Sequence, residues 1–134
     1  MLSKRRDIKF RGKCFGSGVW VIGSLVRFGY GDRTQILIWS QGRESEHDVT
    51  QETVGEFTGL KDKNGKEIYE GDIIKGLDYR GGSAVYPDAI GKVLFEKGRF
   101  IDSYWHEDIF RHCQICEIIG NIYENPELLK ETKC

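Results

Sequence analysis

Seventeen glycines against two prolines, scattered at short intervals, constrain this chain more than any other feature. Glycine that recurs between short apolar runs breaks helices and supplies the turns of a β protein. The runs between them carry the matching signal. Asp7-Ile8-Lys9-Phe10-Arg11 alternates apolar and charged residues, the period of a half-buried strand. Val19 to Val26 is rich in β-branched residues, with Gly23 placed as a bulge or close approach, and Thr34 to Trp39 is a third such run. These three segments predict an antiparallel meander. The polar stretch Ser40 to Gln51 reads as a loop and as the boundary between two parts, residues 1–50 and 51–134.

The second part is organised around Thr58 to Ile74, TGLKDKNGKEIYEGDII. Asn64-Gly65 takes positive φ readily and makes a tight turn. Glu70-Gly71-Asp72 forms a second turn that feeds Ile73-Ile74. Residues 76–88 read as a long irregular loop within a hairpin, and Tyr79, Arg80 and Tyr86 are its most contact-prone side chains. Ala89 to Glu96, the turn Lys97-Gly98 and Arg99 to Trp105 predict a hairpin, and Gln114 to Tyr123 a last strand. Asn125-Pro126-Glu127 carries an N-cap, a first-position proline and an acidic first turn, which start a short C-terminal helix. The expected fold is mainly β: a smaller N-terminal antiparallel part, then a barrel-like part with a short terminal helix.

Composition narrows the function classes. A charged fraction of 31% and a hydrophobic fraction of 39% belong to a globular chain. No apolar run reaches the roughly 20 residues that span a bilayer. Nor does an apolar segment follow the basic N-terminus as in a signal peptide. The expectation is a cytoplasmic protein without a membrane partner. Net charge is −1 but uneven: residues 1–50 hold 9 Lys/Arg against 5 Asp/Glu, and residues 51–134 hold 11 against 16. The basic arm, with Lys4, Arg5, Arg6, Lys9 and Arg11, is the candidate for nucleic acid or an acidic partner. An overall pI near 6.3 argues against a dedicated nucleic-acid domain.

No constellation carries a reaction. His47 among Glu44, Glu46 and Asp48 reads as a solvated polar loop rather than an acid–base cluster. Cys113-Gln114-Ile115-Cys116 lacks the second ligand pair of a zinc site. If both cysteines lie on one strand, thiols three apart face opposite ways. With no sign of secretion, all four cysteines are expected as free thiols. Glu67, Glu70 and Asp72 lack a partner base, and turn chemistry explains Asp72 better. Gly16-Ser17-Gly18 lacks the Lys-Ser/Thr of a phosphate loop. No metal, cofactor or catalytic residue is expected.

ETVGEFTGLKDKNGKEIYEGDII and CEIIGNIYENPELL, with IKFRGK and WVIGSLV before them, resemble the YopX family of phage and prophage proteins. The resemblance runs from about Ile8 to Leu129. It implies a phage or prophage origin of Gram-positive type, an SH3-like β-barrel over residues 51–134 and a smaller β-rich part over residues 1–50. It implies no activity and no catalytic residue. The functional expectation is a non-enzymatic accessory protein of the bacterial host cytoplasm that binds an unknown protein or nucleic acid. The alternative is a self-assembling homo-oligomer that uses the N-terminal meander as its interface.

Overall fold

A computed structural model gives the fold and describes residues 6–27, 33–78, 85–111 and 113–130. The chain gathers into two compact units, Met1–Phe57 and Thr58–Cys134. The described strands make two antiparallel sheets and no closed barrel.

In the first unit, β1 (Phe10–Lys13), β2 (Trp20–Arg27), β3 (Thr34–Ser40) and β4 (Arg43–Asp48) pair in the order β4-β3-β2-β1. The start of β5 (Gly55–Lys61) lies on the other side of β1, with Phe10 opposite Glu56. The meander is therefore present, with one strand more than expected. Residues 43–48 are a strand and not a loop. Gln41 and Gly42 make a two-residue hairpin with φ of 52° and 75°, so that Ser40 pairs with Arg43. RESEHD is not legible as a strand, because an edge strand with both faces solvated has no apolar alternation.

The far end of β4 returns to β1 through an antiparallel bridge between Cys14 and Val49. Phe15 N–H donates to the Asp48 carbonyl and Thr50 N–H to that of Lys13. Ile36 and Val49 are buried in this unit. A Cβ on Gly12 would press on three carbon atoms of Val49 at 3.0 Å, and one on Gly23 would strike the Leu37 carbonyl oxygen. Both glycines are there because backbone and side chain pass too close for a methyl group.

In the second unit, β5 continues beside β6 (Glu67–Tyr69). A four-stranded sheet follows in the order β10-β7-β8-β9, from β7 (Asp72–Asp78), β8 (Val85–Glu96), β9 (Arg99–Asp102) and β10 (Glu117–Asn121). Strands thus extend into both ends of the stretch expected as a long loop. Ile68, Ile74, Ala89, Val93, Ile109, Cys113 and Cys116 form the core, with Leu60, Phe100, Trp105 and Ile118 packed against it. The short helix α1 (Glu127–Lys130) is present, but Asn125 does not cap it as expected. Its side-chain oxygen accepts from Asn121 N–H at 3.2 Å, and its backbone carbonyl takes Leu128 N–H instead.

Three buried aspartates hold the turns of this unit. Asp62 Oδ1 accepts from the N–H groups of Asn64 and Lys66, and its Oδ2 accepts from Ile118 N–H, all between 2.9 and 3.0 Å. Asp72 Oδ2 accepts from Tyr69 N–H at 2.7 Å. Asp102 accepts from Trp105 and Glu107 N–H groups. Each carboxylate is itself buried and satisfies backbone donors that a tight turn leaves without a strand partner.

Candidate functional site

Residues directly opposite each other in an antiparallel pair share a face, and alternate residues along a strand share it too. Arg11 stands opposite Ile22, Ser24 opposite Leu37, and Leu37 opposite Glu46. One face of the first unit therefore carries Lys9, Arg11 and Lys13 in one row and Glu44, Glu46 and Asp48 in another. Trp20, Ile22 and Leu37 lie between them. Ile22 is 45% exposed. A shallow groove of about 310 Å³ opens there, lined by Lys9, Ile22, Gly23, Ser24, Leu37, Ile38 and Glu44. Its charged ends are a lysine from the β1 side and a glutamate from the sheet edge.

The basic row is set on aromatic rings. Lys9 Nζ lies 4.8 Å from the ring centre of Phe57, and the Arg11 guanidinium 5.0 Å from that of Trp20. A cation over a π face is attracted by the ring quadrupole and held in place by it. The acidic row is more open. Asp48 accepts from Gln35 Nε2 at 2.9 Å and lies 3.4 Å from Arg33 Nε. The Gln35 bond, helped by Arg33 and opposed by partial burial, holds the Asp48 carboxyl below its ordinary range. Glu44 and Glu46 have no ion-pair partner among the described residues.

The residues predicted from sequence divide accordingly. Lys9 and Arg11 lie on this face, and Arg6 precedes it, exposed. Lys4, Arg5, Tyr79 and Arg80 fall outside the described residues. Tyr86 is in β8, with its backbone paired to Leu77, rather than in a loop. Ile22, Leu37, Glu44 and Glu46 were not predicted. The one available signal was the alternation of acids at 44, 46 and 48, hidden while that stretch was read as a loop.

The cluster around His47 is divided by the same alternation. His47 stands with Ser45, whose Oγ is 3.1 Å from the His47 Nε2, and the three acids belong to the other face. The geometry expected of the CxxC is corrected. Residues 113–115 form a turn, so Cys113 and Cys116 enter the same apolar core instead of facing apart. Burial, with the Asp62 carboxylate and Cys113 adding to it, pushes the Cys116 thiol up to about 12. It is a packing group at neutral pH. Among the described residues no three His, Cys, Asp or Glu side chains converge as metal ligands.

The model of the YopX protein family matches residues 9–130. The chain belongs to the YopX family. It is also similar to the crystal structure of protein EF1440 from Enterococcus faecalis, at 25% identity with a TM-score of 0.58. That similarity covers 93% of this chain and 99% of the other. No functionally curated protein matches it. The stretch that marks the chain as YopX is structural. Asp62 and Asp72 clamp its turns, Ile68, Ile73 and Ile74 are fully buried, and the Glu67 carboxylate accepts from Tyr69 Oη at 3.2 Å. The groove belongs to the other unit of this YopX chain, and none of the residues that line it falls in that stretch.

Proposed function

We propose that this YopX protein is a non-enzymatic binding module that recognises a protein partner through the outer face of its first sheet. One observation carries the reading: an apolar floor at Ile22 and Leu37 lies open between a basic and an acidic row. Exposed apolar groups framed by charges of both signs suit protein surfaces, where the centre gives affinity and the rim gives orientation. Nucleic acid fits less well, because the acidic row would repel a phosphate backbone that the basic row attracts. The family resemblance supports an accessory role in phage or prophage biology within the host cytoplasm. It also supports an SH3-like reading of the second unit, whose β7-β8-β9 meander would be the shared element.

Affinity capture from infected or lysogenic host cells tests the proposal. Ile22→Arg should remove the specific partner while leaving the protein folded, since Ile22 is only partly buried. Capture unaffected by Ile22→Arg would sink the groove as the binding surface. Self-assembly is the second reading, and one observation favours it. The two rows are opposite in sign, so a second copy turned face to face could set each acidic row on a basic one. Light scattering at increasing concentration separates the two readings. A constant mass of 15.4 kDa would rule out assembly.

A further inference from the structure

Among the described residues the outer edge of β4 has no strand beside it at Glu44 and Glu46, and its chemistry is one-sided. Val49 N–H donates to the Thr34 carbonyl, so Val49 and Thr34 form a hydrogen-bonded pair. Bonded and non-bonded pairs alternate along an antiparallel ladder. By that alternation His47 and Ser45, opposite Ile36 and Ile38, turn their main-chain groups inward to them. Asp48, Glu46 and Glu44 then turn theirs outward. The Asp48 carbonyl confirms the phase, because it accepts from Phe15 N–H on the outer side. Two residues remain, Glu44 and Glu46, with main-chain groups facing away from the sheet and, among the described residues, no neighbouring strand.

Their side chains extend the acidic row. At its inner end sits Gln35, only 4% exposed, which spends its N–H on Asp48 and leaves Oε1 without a hydrogen-bond partner. Arg33 already lies beside Asp48, which shows the group that suits this row. A second copy of the chain does not suit this edge. Antiparallel pairing of β4 with itself about Ser45 would set Glu44 opposite Glu46 twice, and like charges directly opposite destabilise a sheet. Charged edges discourage such self-pairing. Charge of a single sign leaves the same edge complementary to a strand of the other sign.

We propose that the β4 edge accepts an extended segment of a partner protein, with Arg or Lys at alternate positions, as an added strand. The main chain of that segment pairs with Glu44 and Glu46, while its cationic side chains lie opposite their carboxylates. The proposal rests on the reading of the first unit as a protein-binding surface and names what that surface takes.

A short capped peptide alternating Arg and Thr is the probe. It is compared with the same peptide N-methylated at its arginines, which keeps every charge but removes the donors that would face β4. Strand addition predicts saturable binding of the first peptide at low salt and about tenfold weaker binding of the second, equivalent to about 1.4 kcal/mol. Amide exchange should slow at Glu44 and Glu46 and stay unchanged at Ser45 and His47. Glu44→Lys with Glu46→Lys should abolish binding without loss of the fold, since both side chains are exposed. Equal binding of both peptides, or none by either, overturns the proposal. A partner captured from cells separates this inference from the groove. Loss of capture with Ile22→Arg alone keeps the groove and overturns the edge. Loss with the double charge variant alone supports the edge and overturns the groove. Loss with neither overturns both.

Discussion

The two units of this chain solve the problem of small size in different ways. The second buries a continuous apolar cluster from Ile68 to Cys116 and ties its turns with three carboxylates that accept only from backbone N–H groups in the bonds described above. The first buries fewer large side chains among the described residues and relies on close backbone approach at Gly12 and Gly23. One unit spends its polar groups on its own architecture. The other turns the carboxylates of Glu44, Glu46 and Asp48 outward. Interaction surfaces are expected on the unit whose side chains are not already committed to holding its turns.

The largest test of that contrast is Asp62→Ala. It strips an acceptor from three backbone amides, those of Asn64, Lys66 and the half-buried Ile118, at a cost of about 3 kcal/mol. Urea unfolding should show the loss as a lower midpoint. The effect also has a pH signature. Burial works against the charged form of Asp62, but the bonds from Ile118, Lys66 and Asn64 outweigh it and hold the carboxyl below its ordinary value. A carboxyl depressed in the folded state contributes stability above its unfolded pKa of about 4, and that stability is lost as pH falls through the folded value. Asp62→Asn should flatten this acid limb. An unchanged acid limb would remove Asp62 from the account.

Gly23→Ala is the matching test of the first unit. A methyl group there meets the carbonyl of Leu37, so β2 or β3 must shift, at about 2 kcal/mol. Gly12→Ala should cost less, because the Val49 side chain can yield by a few tenths of an ångström. If amide exchange speeds up in β2 and β3 but not around Ile74 and Val93, the units differ as described. Uniform acceleration would erase the distinction.

What could be read from the sequence follows the same line. The turns of the second unit were legible, though the expected barrel is not found closed, because they are written in residues with one strong use each: Asn64-Gly65, Gly71-Asp72 and Lys97-Gly98. In the first unit β1 to β3 were legible from alternation or β-branched residues. β4 was not, since Glu44, Glu46 and Asp48 alternate with Ser45 and His47 and nothing in that pattern is apolar. The acidic half of the candidate face was lost with it. The Cys113–Cys116 geometry was misread because three residues of turn look, in sequence, like the start of the strand that follows.

Thiol chemistry gives a smaller and cleaner separation. Cys14 is half-buried in the first unit, while Cys116 is fully buried in the second with its pKa raised to about 12. At pH 8 a thiol reagent should modify Cys14 in the folded protein and reach Cys116 only when the second unit opens. A thiol whose pKa is raised by folding keeps its stability contribution below its unfolded pKa of about 8.5 and loses it as pH rises toward the folded value. Cys116→Ala should therefore soften the alkaline limb of stability. Rapid labelling of Cys116 in the native protein would contradict its burial.

The smallest expected effect concerns the basic row. Lys9→Met keeps an apolar stem over the Phe57 ring and removes only the ammonium, a change of about 0.5 kcal/mol at a partly exposed site. In Arg11→Met the fluorescence of Trp20 should shift as its ring loses the guanidinium. If Lys9 serves chiefly to orient a protein partner, Lys9→Met keeps its stability and loses association rate at low salt, with little change at high salt. A loss well above 1 kcal/mol would instead make the row a structural element like the aspartates of the second unit. The contrast between the units would then hold only for the acidic edge.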